Sequence, residues 1–195
     1  MSFEIGRRLV HASGAVVPAA YLLDTRILET GLFTWSTLQA VTIVGLVATA
    51  VLEAARLYGG LELAIYDQLT REYEQETVAG YALYVLGGTI TVFLFEPRVA
   101  VPALFMLTLG DPVSGLLSSG ELRVVARPRV FIGMFAVCFA LAFPFVPPIV
   151  AAAGALGAAV ADGVKPIIAG YVVDDNLTIP LFGATAMSLA VSIVG

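Results

Sequence analysis

Charge is what this chain has least of. Of its 195 residues 13% are charged and 59% hydrophobic, whereas a soluble domain carries roughly 25% charged residues. The mean hydropathy is +0.94. That deficit excludes an ordinary water-soluble domain. Lysine is scarcer still: of ten basic residues nine are Arg, and Lys165 is the one Lys. With a formal net charge of −5 there is no basic surface to displace counterions from a phosphate backbone, which excludes a nucleic-acid partner. An acidic, Lys-poor composition fits a salt-adapted organism, and a GC-rich genome gives the same bias. The single cysteine, Cys138, excludes an internal disulfide and sits in an apolar run as a packing residue. The single histidine, His11, excludes a histidine-built metal site. There is no Walker A motif and no kinase Gly-rich loop, so any nucleotide site is of an unrelated type. No internal repeat or low-complexity tract divides the chain, which reads as one membrane domain over residues 1–195.

What the chain does have is long apolar runs. A membrane span needs about 20 such residues, fewer for helices buried in a bundle. Seven stretches qualify, at 9–23, 35–55, 78–95, 99–117, 130–143, 148–161 and 177–194. The fifth and sixth are short, and Pro144, Pro147 and Pro148 break the chain between them. A re-entrant hairpin there is the alternative to two full spans. The first stretch, interrupted by His11 and Pro18 and followed by further spans, reads as a span and not as a signal peptide. The expected fold is therefore all-α: a polytopic transmembrane bundle of about seven spans.

The distribution of basic residues gives its orientation. With seven spans, one side carries Arg7, Arg8, Arg56, Arg71, Arg123, Arg127, Arg129 and Lys165, and the other only Arg26 and Arg98. By the positive-inside rule the N-terminus is cytoplasmic. Between the second and third spans Leu61, Ile65, Leu69 and Tyr73 recur every four residues, opposed by Glu62, Asp67, Arg71, Glu72, Glu74 and Glu76. That pattern predicts an amphipathic helix in the cytoplasmic interface, or equally a solvated connector.

Charged residues inside spans are expensive, at least ~2.5–3.5 kcal/mol each near a helix centre, so each needs a reason. Asp111 stands between Gly110 and Pro112, where the missing proline N–H opens the helix, and Ser114 and Ser118 follow on the same face. It is a candidate metal or phosphate ligand, against a kinked packing helix with a satisfied Asp. Asp174, Asp175 and Asn176 precede the last span and offer hard oxygen ligands suited to Mg²⁺. They also suit helix capping, which needs only one such residue. Asp162 and Lys165 share a helical face, as a structural pair or as a carboxylate and a phosphate contact. Glu53 and Arg56 do the same, as an ion pair or as a carboxylate presenting a guanidinium to phosphate. His11 is a polar contact at the start of the first span or a supporting catalytic group. All of these fall in the cytoplasmic half of the expected topology. Carboxylates and cations gathered at a bilayer surface suit a metal–nucleotide and a lipid substrate.

These residues carry a resemblance. Arg7-Arg8 with His11 and Gly14, Glu53 with Arg56-Leu57, Arg71-Glu72 and Glu74 ahead of Gly80 and Gly87 are ordered as in the CTP-dependent polyprenol kinases. So are Leu109-Gly110-Asp111, Asp162-Gly163 with Lys165-Pro166, and Asp174-Asp175-Asn176-Leu177-Thr178-Ile179-Pro180. The chain thus resembles, over almost its whole length, the membrane family that includes dolichol and phytol kinases. The resemblance implies transfer of the γ-phosphoryl of CTP to an isoprenoid alcohol; in an archaeal chain the product would be dolichyl phosphate. It implies an enzyme of the cell membrane, multi-pass, with its active site facing the cytoplasm. On this reading Asp111 and Asp175 are catalytic, and Asp111, Asp162, Asp174 and Asp175 hold Mg²⁺. Arg56, Lys165, Arg127, Arg129 and Asn176 bind the nucleotide, and His11, Glu53 and Arg71 support them. One segment departs from the family pattern: where relatives carry a Lys-rich turn and Glu-Gly-Ser or Glu-Gly-Thr, residues 126–133 have Arg127 and Arg129 and no acid.

Two other functions compete. A lipid cytidylyltransferase also uses CTP, Mg²⁺ and a membrane acidic site, but the long basic and acidic signature of those enzymes is missing near the C-terminus. A small transporter would show inverted repeats and charge near the midplane, and here the acids lie toward one surface.

Overall fold

The computed structural model describes residues 2–60, 66, 70, 74–118, 127–164, 167–168 and 171–194. Within them the chain is helical: α1 Ser2–Ser13, α2 Val16–Leu23, α3 Trp35–Gly59, α4 Gly80–Leu94, α5 Pro97–Phe105, α6 Asp111–Leu117, α7 Pro128–Ala142, α8 Pro148–Gly163 and α9 Asp175–Val194. Two π-helical segments, Asp24–Leu28 and Met106–Gly110, continue α2 and join α5 to α6. A two-residue antiparallel ladder, Ile167–Ile168 with Tyr171–Val172, precedes α9.

Three helices are long and apolar enough to cross a membrane: Trp35–Gly59, the run Pro97–Leu117, and Asp175–Val194. The sequence-based count of seven spans is therefore met only in part. Gly80–Leu94, Pro128–Ala142 and Pro148–Gly163 are apolar but only 15, 15 and 16 residues long. At 1.5 Å per residue they reach about 22–24 Å against a hydrocarbon core of about 30 Å. The cause is local. Proline opens α5, α7 and α8 at the first helical position, and the residues before Pro97, Pro128 and Pro148 are extended. The expected first span is broken as well, by the turn after α1 and by the π segment at Asp24. Most of the expected amphipathic helix lies outside the described residues; of it, Tyr66 is buried and donates its hydroxyl to the Leu52 carbonyl at 3.2 Å.

The helices pack around the Pro97–Leu117 run. Met106, Leu107, Met134, Cys138, Val150, Ala155, Ile179 and Met187 form the main core, and Cys138 is buried in it. The α8–α9 contact is close because glycine stands where side chains would collide. A Cβ at Gly157 would lie 2.6 Å from the Phe182 carbonyl oxygen. By contrast α3 leaves Val44, Val47 and Val51 more than half exposed, an aliphatic face that suits lipid.

At the end of the bundle where α2 runs out, Asp24 ties the connection to α3. Its Oδ1 accepts from the Thr30 amide at 2.9 Å and from the Thr30 hydroxyl, and its Oδ2 accepts from the Phe33 amide at 2.8 Å. These bonds, the Thr30 hydroxyl first and the Phe33 amide next, hold the carboxyl below its ordinary range.

Two predictions follow from the packing and the turn. Gly157→Ala, pressed against backbone that cannot yield, should destabilise the purified protein by about 1–3 kcal/mol. Gly45→Ala, whose Cβ would meet only Val85 at 3.8 Å, should leave thermal unfolding unchanged or raise its midpoint; equal losses for both would refute the packing argument. For Asp24, a folded pKa below the unfolded value of about 3.9 means stabilisation present above that value and lost as pH falls through the folded one. The melting-temperature gap between wild type and Asp24→Asn should be widest near neutrality and close below about pH 4. A gap independent of pH would show that the carboxylate charge is not what ties the turn.

Candidate functional site

Construction of the site begins at the π segment. The Asp111 N–H bonds back to the Met106 carbonyl, one residue farther than in an α-helix, and residue 112 is a proline with no N–H to give. The Leu107 carbonyl thereby loses both intrahelical donors, and the imidazole of His11 fills the position, Nε2 lying 2.9 Å from Leu107 O. A carbonyl only accepts, so Nε2 carries the proton. The same nitrogen lies 3.5 Å from Asp111 Oδ2. Tyr84 donates its hydroxyl to the His11 carbonyl at 3.1 Å and sets its ring edge-on to the imidazole, centroids 4.6 Å apart. Gly14 makes room for Tyr84, since a Cβ there would overlap the phenol oxygen.

Asp111 is one of three carboxylates gathered from separate helices. One oxygen each of Asp111, Asp162 and Asp175 lies within 4.8 Å of the others. Asp162 and Asp175 are buried and Asp111 partly exposed, so a ligand reaches the group past Asp111. Ser114 bridges two of the helices by donating to Asp162 Oδ2 at 2.5 Å. Three negative charges this close repel by about 3 kcal/mol per pair at an effective dielectric of ~20, and a divalent cation bound by hard oxygens removes that repulsion. Two buried side-chain oxygens among the described residues lack a hydrogen-bond partner: Thr108 Oγ1, one turn before Asp111, and Asn176 Oδ1, next to Asp175. Three carboxylates with two uncommitted neutral oxygens within one turn of them in sequence are a donor set that fits Mg²⁺ or a similar ion.

The adjacent acids Asp174 and Asp175 divide their work. Asp174 caps α9: its Oδ1 accepts from the Asn176 amide at 2.9 Å and its backbone carbonyl from the Thr178 hydroxyl at 3.2 Å. The three clustered carboxylates do not include it, and the bonds it makes here are those of a helix cap. Asp175, the first helical residue, turns into the cluster. Asn176 reaches the start of α4, where a Cβ at Gly80 would lie 2.9 Å from its Nδ2 and 3.3 Å from Glu74 Oε1. Its carbonyl, deprived of an i+4 donor by Pro180, lies 2.8 Å from the Cβ position of Gly87.

Arg56 has a different task from the phosphate contact expected of it. Its Nε and one terminal nitrogen bond Glu53 at 3.1 and 2.5 Å, and the rest of the fork reaches the carbonyls of Glu74, Gln75 and Thr77 at 3.2, 3.0 and 2.6 Å. Five contacts occupy the five N–H donors of a guanidinium. Glu53 in turn accepts from the Ala79 amide at 2.8 Å and from the Tyr81 hydroxyl. The pair is a buried clamp holding the segment before α4 onto the end of α3.

Of the other expected residues, Arg127 is half-buried at the start of α7, Arg129 is exposed, and neither is a member of the carboxylate cluster. Lys165 and Arg71 lie outside the described residues. The sequence reading passed over the Tyr84 contact and the role of Tyr81; it grouped Arg8 with His11 and Gly14 but not with Gly115, on which the guanidinium lies. Only the glycines opposite them, Gly14 and Gly115, could have signalled such close approach.

If Arg56 is a clamp, Arg56→Ala strands a buried carboxylate and should cost about 3 kcal/mol of stability. Arg56→Lys, a point charge in place of a fork, should recover only part of it. The check is thermal unfolding in detergent. Undiminished stability of Arg56→Ala with weakened nucleotide binding would restore the phosphate role.

Comparison with protein-family models, with curated proteins and with solved structures finds no match to this chain.

Proposed function

We propose that the chain is an integral membrane lipid kinase that transfers the γ-phosphoryl group of CTP to the terminal hydroxyl of an isoprenoid alcohol, a dolichol or other polyprenol. The observation that carries the reading is the meeting of Asp111, Asp162 and Asp175, from three helices, within 4.8 Å at one end of an apolar bundle. The ordered motifs of the sequence point to the same residues. The helix count and orientation belong to this proposal: seven passes, N-terminus and site on the cytoplasmic side, as the eight-to-two division of basic residues supports.

In this mechanism the chain positions and neutralises, as phosphoryl transfer requires little else of a protein. Asp162, held by Ser114, and Asp175, held at the start of α9, would bind Mg²⁺ together with Asp111. The ion would supply charge neutralisation for the phosphates. Asp111, the most exposed of the three, faces the incoming alcohol. The hydroxyl oxygen forms a bond to the γ-phosphorus, the bond from that phosphorus to the bridging oxygen breaks, CDP leaves, and the hydroxyl proton passes to the Asp111 carboxylate. His11 fixes Asp111 by donating from Nε2 toward Leu107 O and Asp111 Oδ2. The isoprenoid tail stays in the lipid against the exposed aliphatic helix faces.

The test uses purified protein with γ-labelled CTP, Mg²⁺ and a mixture of isoprenoid alcohols. Label should enter the lipid phase, depend on Mg²⁺, and fall at least 1000-fold, about 4 kcal/mol of transition-state stabilisation, in an inserted and folded Asp111→Ala. Near wild-type turnover of Asp111→Ala would remove the base from the mechanism. Unlabelled lipid with release of pyrophosphate would replace the kinase by a cytidylyltransferase.

A further inference from the structure

The N-terminal helix and the turn after it meet the π segment, α6 and α4 at three successive levels. His11 meets the Leu107 carbonyl and Asp111; three residues toward the N-terminus, Arg8 meets Gly115; three residues the other way, Gly14 meets Tyr84. Helices α1 and α6 run antiparallel there, because Arg8 precedes His11 while Gly115 follows Asp111. Arg8 and His11 share one face of α1, and Asp111 and Gly115 share one face of α6.

Arg8 lies on Gly115 in a particular way. A Cβ built on Gly115 would be 3.4 Å from Cζ, 3.4 Å from Nε and 3.5 Å from Nη2 of Arg8. Three atoms of one plane at equal distance place the guanidinium face-on over the glycine, so its N–H edge runs along the helix surface. Gly115 is four residues beyond Asp111, about 6 Å along the axis. The planar cation thus lies over the residue one turn beyond Asp111 on the same face of α6. A cluster that gathers a divalent cation and a flat guanidinium one turn away match the two kinds of charge partner that a polyphosphate takes, an ion and a bidentate fork.

From this geometry we infer that Arg8, seated on Gly115, is the phosphate-binding cation of the site, the part that Arg56 does not fill. The inference rests on the proposed phosphoryl-transfer function and adds a residue and an anion subsite to it. The ligand is a phosphate group, carried either by a nucleoside triphosphate or by the phosphorylated lipid product. Gly115 determines how closely the fork lies to α6: alanine there reaches ordinary contact distance, whereas a branched side chain lifts the guanidinium away.

Binding measurements on the whole detergent-solubilised protein test this, with Mn²⁺ as the metal probe followed by its electron paramagnetic resonance signal. CTP and a short-chain prenyl monophosphate serve as the two phosphate probes. Arg8→Gln should weaken CTP at least 10-fold in the presence of Mn²⁺, Arg8→Lys less, and Gly115→Val about as much as Arg8→Gln, with Gly115→Ala near wild type. Mn²⁺ binding without nucleotide should hold or tighten in Arg8→Gln, because a cation near the metal has been removed. Weakened CTP affinity with Mn²⁺ binding retained marks a phosphate subsite, whereas a mere counter-ion to the carboxylates would leave CTP affinity unchanged. Loss confined to CTP assigns Arg8 to the nucleotide, and loss of both probes assigns it to the transferred phosphoryl group itself. CTP affinity unchanged in a folded Arg8→Gln overturns the inference and leaves the kinase standing. Wild-type protein that binds neither Mn²⁺ nor CTP overturns both.

Discussion

The Leu107 carbonyl loses its α-helical donor to the π segment, and the donor one residue on is a proline without an N–H. An unpaired peptide oxygen inside an apolar bundle costs free energy that no water is present to recover. The imidazole of His11 supplies the missing proton, and this single bond docks α1. Once His11 is in place, the antiparallel approach of α1 to α6 brings Arg8 over Gly115 and the His11 backbone within reach of Tyr84. Asp111 comes within reach of the same imidazole nitrogen. A defect in one helix thus recruits another, and the recruited helix brings Arg8 onto α6.

The carboxylate cluster is a second constraint of the same kind. Asp111, Asp162 and Asp175 come from α6, α8 and α9, and the electrostatic cost of gathering them works against the packing of those helices. The packing prevails because the helices are bound below the cluster by close contacts that glycine permits, as at Gly157, and by core residues such as Met106 and Met187. On the proposed function, a divalent cation held by the three acids would relieve that repulsion. Stability and affinity for such an ion would then be linked: what the acids lose by proximity the ion would return on binding.

Much of this was legible in the sequence. The apolar runs mark the helices from α2 onward, though not α1, which lies mostly ahead of the first run, and the Gly110–Asp111–Pro112 triplet announces a disturbed helix, which the structure realises as a π segment. Helix length was less legible, because Pro97, Pro128 and Pro148 each start a helix and the extended residue before each shortens its run. The division between Asp174 and Asp175 could not be read at all. The two side chains are chemically alike, and which one caps and which turns inward depends on where the helix begins, to within a single residue. Arg56 misled for another reason: its pairing with Glu53 is visible at i,i+3, but the carbonyls that occupy the rest of its fork belong to the turn at residues 74–77. Nothing local in sequence connects that turn to α3.

The glycines of the site reveal what its architecture demands. Among the described residues the only glycines in the left-handed region are Gly31 and Gly60, which serve turns. Gly14, in the turn after α1, and the helical Gly80, Gly87 and Gly115 all have φ outside that region, so conformational freedom is not their purpose. Each instead faces a group of the site at the place a methyl would occupy: the Tyr84 phenol, the Asn176 amide, the Asn176 carbonyl and the Arg8 guanidinium. Glycine inside a helix costs up to about 1 kcal/mol relative to alanine, and three such positions around one cluster are a substantial concession. They follow from the need to bring polar groups, including a peptide carbonyl freed by Pro180, against helix backbones in a medium where distance to a partner cannot be bridged by water. Close approach replaces hydration, and the carboxylates, the imidazole and the guanidinium are thereby held at fixed positions before any ligand arrives.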